Sequence, residues 1–186
     1  EAEMLQRGGV ALAVWAGLIA RYVREVKALG FDLWALTLQD EPAAVQTWDS
    51  CIYSAEEERG FVRDHLGPTL HAEGLSDVKL LVWDHNRDII VERARTVLDD
   101  PAAARYVWGV GFHWYMSEAF ENVGAVHELF PEMHLLFTEG CCEGGLRPGS
   151  WKPAEQYARN MIGDFNNWCE GYLDWNMVLD EMGGPN

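Results

Sequence analysis

The chain has 186 residues, 48 % of them apolar, with nine tryptophans and a formal net charge of −16. That length suffices for one domain with a real core, and the apolar fraction excludes a disordered chain. The acidic balance argues against nucleic acid or an anionic membrane as partner, because phosphate binding needs clustered Lys and Arg, and no apolar run reaches the ~18 residues of a membrane span.

Trp15, Leu18, Ile19, Tyr22, Val26 and Leu29 recur at helical spacing, which predicts a first helix over residues 6–29, stopped by Gly30. A strand over 33–38 follows and ends in Gln39-Asp40-Glu41-Pro42. Pro42 has no amide donor and restricts Glu41, so the strand stops there. After a loop carrying Trp48 and Cys51, Ser54 and Glu57 form a capping-box pattern that opens a helix to about residue 72. A second strand over 78–83 ends in Asp84-His85-Asn86 and precedes a helix over 88–98. A third over 106–112 ends in His113-Trp114-Tyr115 and precedes a helix over 118–129. The fourth strand, 134–138, ends in Glu139 and a glycine-rich loop. Pro153 then suits the first turn of a helix to about residue 169, and a last strand over 172–174 ends in Trp175-Asn176.

Strands alternating with helices point to a parallel sheet with crossover connections. A doubly wound sheet would carry a glycine-rich phosphate turn such as GxGxxG, and none is present. A (β/α) barrel instead places polar functional residues at the C-terminal end of strand after strand, as here at all five. The expected fold is therefore a (β/α)8 TIM barrel. A full barrel takes about 250 residues, so residues 1–186 would be one partial barrel domain containing its last five strands. With no initiator methionine, no signal-peptide pattern and a loop-like end, the sequence reads as an internal piece of a longer chain, which leaves compartment unreadable. Half a barrel would leave two open sheet edges.

The chemistry concentrates in two carboxylic acids. Glu41 and Glu139 each close an apolar strand, and a buried strand end is a costly place for a carboxyl unless it faces a cleft. Two carboxyls from separate strands of one barrel mouth suit glycoside cleavage, where a retaining enzyme holds acid/base and nucleophile about 5 Å apart. Metal and cofactor chemistry are not signalled. Cys51, Cys141, Cys142 and Cys169 lack CxxC spacing, and His65, His71, His127 and His134 have no partners at ligand spacing. Cys141 and Cys142 read as packing residues, and His85 as a loop hydrogen-bonding residue.

The stretches Ala35-Leu36-Thr37-Leu38-Gln39-Asp40-Glu41-Pro42, Gly111-Phe112-His113-Trp114-Tyr115, Phe137-Thr138-Glu139-Gly140 and Asp174-Trp175-Asn176, with the closing Gly183-Gly184-Pro185-Asn186, resemble glycoside hydrolase family 30 in order and spacing. This is the family of glucosylceramidase. The resemblance implies that Glu41 is the acid/base and Glu139 the nucleophile, the acid with a raised pKa and the nucleophile a stabilised anion. It also implies that Tyr115 donates to Glu139, that His113 lines the glucose subsite, and that Trp175 is the sugar platform with Asn176 beside it. Trp48 and Asp84 would stand at the cleft rim. Asp40 departs from the pattern, which has asparagine bonded to the sugar 2-hydroxyl; a second carboxylate beside Glu41 implies lowered activity or a shifted pH optimum.

The implied activity is a retaining β-glycosidase, most simply on glucosylceramide-type β-glucosides. The alternatives are a β-1,6-glucanase, a β-xylosidase or β-fucosidase, or a catalytically weak carbohydrate-binding relative. The expected partner is a carbohydrate or glycolipid substrate, with no cofactor; oligomeric state is not readable. A secreted, periplasmic or lysosomal-type compartment is implied by resemblance alone. The family's β-sandwich and its early barrel strands are expected to lie outside this sequence.

Overall fold

In the computed structural model, residues 9–47, 50–145, 147–176, 178, 180 and 182 are described. Five parallel strands form one sheet in sequence order, β1 (Ala35–Thr37), β2 (Lys79–Asn86), β3 (Gly109–His113), β4 (His134–Glu139) and β5 (Gly171–Tyr172). Consecutive order in a parallel sheet requires a crossover after each strand. The helices provide it: α1 (Gly9–Ala28) before β1; α2 (Ala55–Phe61) and α3 (Gly67–Ala72) before β2; α4 (Ile90–Leu98) and α5 (Pro101–Ala104) before β3; α6 (Phe120–Leu129) before β4; α7 (Lys152–Phe165) before β5. This is a five-stranded parallel half of a TIM barrel.

The core lies between sheet and helices. Leu80, Val82, Val110, Phe112, Leu135 and Phe137 alternate onto the helical side and pack with Ala16, Ala20, Val23, Leu66, Ile90, Ala94, Val97, Val123 and Val126. Each large apolar side chain removed from water here contributes ~1.5–3 kcal/mol. The other face carries Thr37, Leu81, Leu136 and Thr138, which line an open trough with Trp34 and Leu173. Gly111 faces that trough because a Cβ there would come within 2.8 Å of the Thr138 methyl group.

The elements expected from periodicity are present, with shifted boundaries. The capping box forms as read: Ser54 accepts from Glu57 N–H and the Glu57 carboxylate accepts from Ser54 N–H. The helix it opens is interrupted by a π-turn at Val62–Leu66, where Gly67 N–H bonds Val62 O. Pro68 explains it, since it has no N–H and its ring crowds the carbonyl four residues back. The strand expected over 78–83 runs on to Asn86, and α5 forms where sequence showed only a helix end, capped by Asp100 on Ala102 N–H.

That extension of β2 is the feature that shapes the mouth. Trp83 and Asp84 are left-handed, at φ 75° and 57°, and the pairing with β3 slips between Trp83 and His85. A bulge lets neighbouring side chains that would otherwise alternate reach the same end of the sheet. The Trp83 N–H is taken by the buried Glu58 carboxylate at 2.7 Å, and Arg93 holds the other Glu58 oxygen at 3.0 Å. A second buried pair docks α7: Arg87, fully buried, bonds both Asp164 oxygens at 2.8 Å and also Asn160, with its guanidinium 4.5 Å from the Phe120 ring.

Candidate active site

The C-terminal strand ends converge on one imidazole. His113 closes β3 and its side chain is fully buried. Its Nδ1 lies 3.2 Å from Glu41 Oε1 and its Nε2 lies 3.1 Å from Asp84 Oδ1. A ring flanked by two carboxylates has an acceptor at each nitrogen, so both nitrogens carry hydrogen and the ring is an imidazolium. Burial pulls its pKa down, but the bonds to Asp84 and Glu41 outweigh that and raise it to about 9.

Glu41 follows β1 at φ 44°, a left-handed turn anchored by its N–H to Asp84 O at 3.0 Å. Such backbone costs ~1–3 kcal/mol and gathers where function over-determines it. Its Oε2 accepts from Gln46 Nε2 at 2.7 Å, while His85 Nε2 lies 3.8 Å from Oε1. The hydrogen bond from His113 holds its pKa below the ordinary carboxylate value. Glu139 ends β4 and accepts from the Tyr115 hydroxyl at 2.8 Å. Burial pushes its pKa up, although Tyr115 opposes the rise.

These directions reverse the expected polarity of the pair. The acid/base was to be raised and the nucleophile held anionic. Instead Glu41 takes the imidazolium and an amide, whereas Glu139 takes one neutral hydroxyl in a desolvated wall. Which carboxyl receives the charged donor depends on where the His113 ring points, and no spacing in the sequence encodes that.

Asp84 is 7 % exposed and sits beneath His113. Burial raises its pKa, but the bond and charge of His113 bring it below the usual value. Asp40 is different: its side chain is 60 % exposed, 4.0 Å from His113 Nε2. Desolvation of the carboxyl end and repulsion from Asp84 and Glu139 push it up to about 7. Asp40, His113 and Glu139 offer ligand-type atoms within 4.8 Å of one another. Both imidazole nitrogens are already committed to Glu41 and Asp84, so the set is a proton-sharing cluster.

Glu41, His85, Asn86, Tyr115, Glu139 and Trp175 line an open cleft of about 530 Å³, whose far wall includes Met116, Cys141, Cys142 and Gly144. Trp175 is 41 % exposed at its edge, with its backbone N–H on Gly140 O. Asn176 is half-buried beside it, outside the cleft lining seen among the described residues. Trp48 lies outside the described residues. Sequence reading missed Gln46, which no local signal marks, and gave His85 and Cys141 other roles. His85 stands in the cleft wall with its Nδ1 buried and unpartnered. Cys141 lies 3.6 Å from the Tyr115 hydroxyl. Adjacency to Asp84 and to Glu139 was the available clue to both.

Known proteins match this chain in sequence and fold. The family model for the glycosyl hydrolase family 30 TIM-barrel domain matches residues 6–186. Lysosomal acid glucosylceramidase of Mus musculus is 35 % identical across 97 % of this chain, a region spanning 37 % of that protein. Among solved structures, SrfJ from Salmonella typhimurium superposes with a TM-score of 0.92 at 36 % identity, covering all of this chain and 42 % of its own. An endo-β1,6-glucanase superposes at 0.85 with 30 % identity, covering 96 % of this chain and 40 % of its own. The chain thus spans well under half the length of the proteins it matches.

Proposed function

Since this chain belongs to glycosyl hydrolase family 30, we propose that it carries both catalytic carboxylates of a retaining β-glycosidase acting on glucosylceramide-type β-glucosides. The observation that carries this reading is the convergence of Glu41 and Glu139 on one cleft and one imidazolium. Glu139 attacks the anomeric carbon as the bond to the leaving oxygen breaks, forming a covalent glycosyl-enzyme. The leaving oxygen takes a proton from Glu41. In the second step water attacks the same carbon, Glu41 accepts its proton, and Glu139 leaves.

The proton for the first step lies within the Glu41–His113 pair. Transfer across their 3.2 Å contact leaves a neutral acid against a neutral imidazole that still faces Asp84. Tyr115 holds one Glu139 oxygen by hydrogen bond, orienting the nucleophile. Trp175 offers an exposed aromatic face at the cleft edge for the apolar side of a sugar ring. No helix among the described residues is long and apolar enough to cross a membrane.

The test uses the full-length protein with an aryl β-glucoside. Glu139→Ala is expected to lower kcat on the order of 10⁴-fold or more, with azide restoring turnover as the inverted glycosyl azide. Azide rescue at Glu41→Ala instead, with inversion, would exchange the two roles. A protein that binds glucose yet cleaves no glycoside would be the inactive relative. The similarity to an endo-β1,6-glucanase supports a second substrate reading, and comparing glucosylceramide in detergent with β-1,6-linked gluco-oligosaccharides separates the two.

A further inference from the structure

The residues that follow β5 have little ladder to hold them. The strand itself is two residues, Gly171–Tyr172, at one edge of the sheet among the described residues. Beyond it, Leu173 N–H reaches Phe137 O at 2.9 Å and the Trp175 backbone N–H reaches Gly140 O at 3.2 Å. Between these two bonds a side chain enters from α7: Tyr157 donates its hydroxyl proton to Asp174 Oδ1 at 2.7 Å. Gly140 O lies 3.5 Å from the same hydroxyl, but one proton serves one acceptor well, and the nearer carboxylate takes it. Burial and the bond to Asp174 push the Tyr157 pKa up, so the hydroxyl stays a donor. Tyr157 is itself braced, its ring 4.7 Å from that of Trp114, whose indole N–H holds Cys141 O at 3.2 Å. Gly140 is clamped too, since a Cβ there would come within 2.6 Å of the Phe137 ring. Through Tyr157, α7 thus reaches both the stretch that carries Glu139 and the stretch that carries Trp175.

We propose that Tyr157 is a positioning residue for sugar binding: its bond to Asp174 fixes the neighbouring Trp175 at the cleft edge, in register with the loop that follows Glu139. The proposal deepens the glycosidase reading and rests on it. Tyr157 is not among the residues that line the cleft, so it acts through Trp175. Trp175 is 41 % exposed, and an exposed ring left free to swing must be ordered when the sugar arrives, at a cost to affinity. Position 157 therefore governs capture of the sugar ring, while proton transfer and bond breaking remain with Glu41 and Glu139.

The experiment uses the full-length protein and an aryl β-glucoside. Tyr157→Phe is expected to raise KM about tenfold and to leave kcat within about twofold, the signature of lost uniform binding. Asp174→Ala breaks the same bond from its other end and should match it, so a fold lost in Tyr157→Phe leaves the test intact. Asp174→Asn, whose amide oxygen still accepts, should recover most of the affinity. Placed in a Trp175→Ala background, Tyr157→Phe should raise KM no further; a full additional rise overturns the proposal, because the tyrosine would then act elsewhere in the site. A second measurement needs no turnover. Fluorine NMR on protein carrying 5-fluorotryptophan, with the Trp175 signal identified by its absence from Trp175→Phe, reads the platform in the sugar-free state. Tyr157→Phe and Asp174→Ala should both move that signal, and a signal unmoved in both overturns the proposal. A moved signal in a protein that cleaves no glycoside would support the strut and count against the glycosidase reading alone.

Discussion

Tyr115 illustrates how much one hydroxyl decides. It has a single proton and two neighbours, Glu139 at 2.8 Å and the Cys141 sulfur at 3.6 Å. The shorter contact to the harder acceptor wins, and that bond opposes the upward push of burial on Glu139. Tyr115→Phe should lower kcat by about 10–100-fold, since a hydrogen bond to a charged group is worth ~1.5–3 kcal/mol and each ~1.4 kcal/mol is a decade in rate. Steady-state kinetics check this. Unchanged kcat with raised KM would assign Tyr115 to sugar binding instead. At this scale Glu41 and Glu139 stood out in the sequence because each closes an apolar stretch with a carboxyl, whereas His113 and Tyr115 were pointed to by the family resemblance. Their electrostatic partners were not. Gln46 lies in an irregular loop, and His113 sits where the pairing of β3 with β4 slips, between Phe112 and His113.

Element by element, periodicity located the strands and helices because one face of each is apolar. It misjudged the end of β2, where Asp84-His85-Asn86 read as loop though they continue the strand. Polar residues inside a strand make sense only once Glu58 and Arg93 are seen to hold the left-handed step from behind. Helix α7 is a parallel case, since its buried residues are Asn160 and Asp164, polar side chains that hydrophobic spacing could not assign to an interior. Arg87→Ala leaves Asp164 buried without its partner and should cost about 3–5 kcal/mol. Burial already lifts the Asp164 pKa to about 6, against the pull of Arg87. Removing Arg87 lifts it further, so the protonated form is favoured in the folded state. The loss should therefore be smaller at pH 5 than at pH 8, as denaturant melts at both would read. An equal loss at both would mean that α7 docks through Asn160 and apolar contacts.

At the scale of the molecule, the half-barrel presents more than its cleft. Strands β1 and β5 are sheet edges among the described residues, and Val10, Val14, Leu18 and Tyr22 form an exposed apolar stripe along α1. Edges and stripes of this kind invite pairing. The 186-residue chain by itself should self-associate at micromolar concentration, and Val14→Lys with Leu18→Lys should weaken that, as sedimentation velocity would reveal. A concentration-independent monomer would mean that the open trough and the stripe are tolerated in water. Sequence made this architecture legible through the recurring polar strand ends. It was silent on curvature, which strand twist sets and residue identity does not.

Glu41, Trp83 and Asp84 all turn left-handed at the same rim. No helix propensity or strand preference favours those angles, so nothing local prepares them before the sheet assembles. The chemistry is consequently a late acquisition of folding and an early casualty of its reversal. A population that still looks native by its secondary structure can already be catalytically mute.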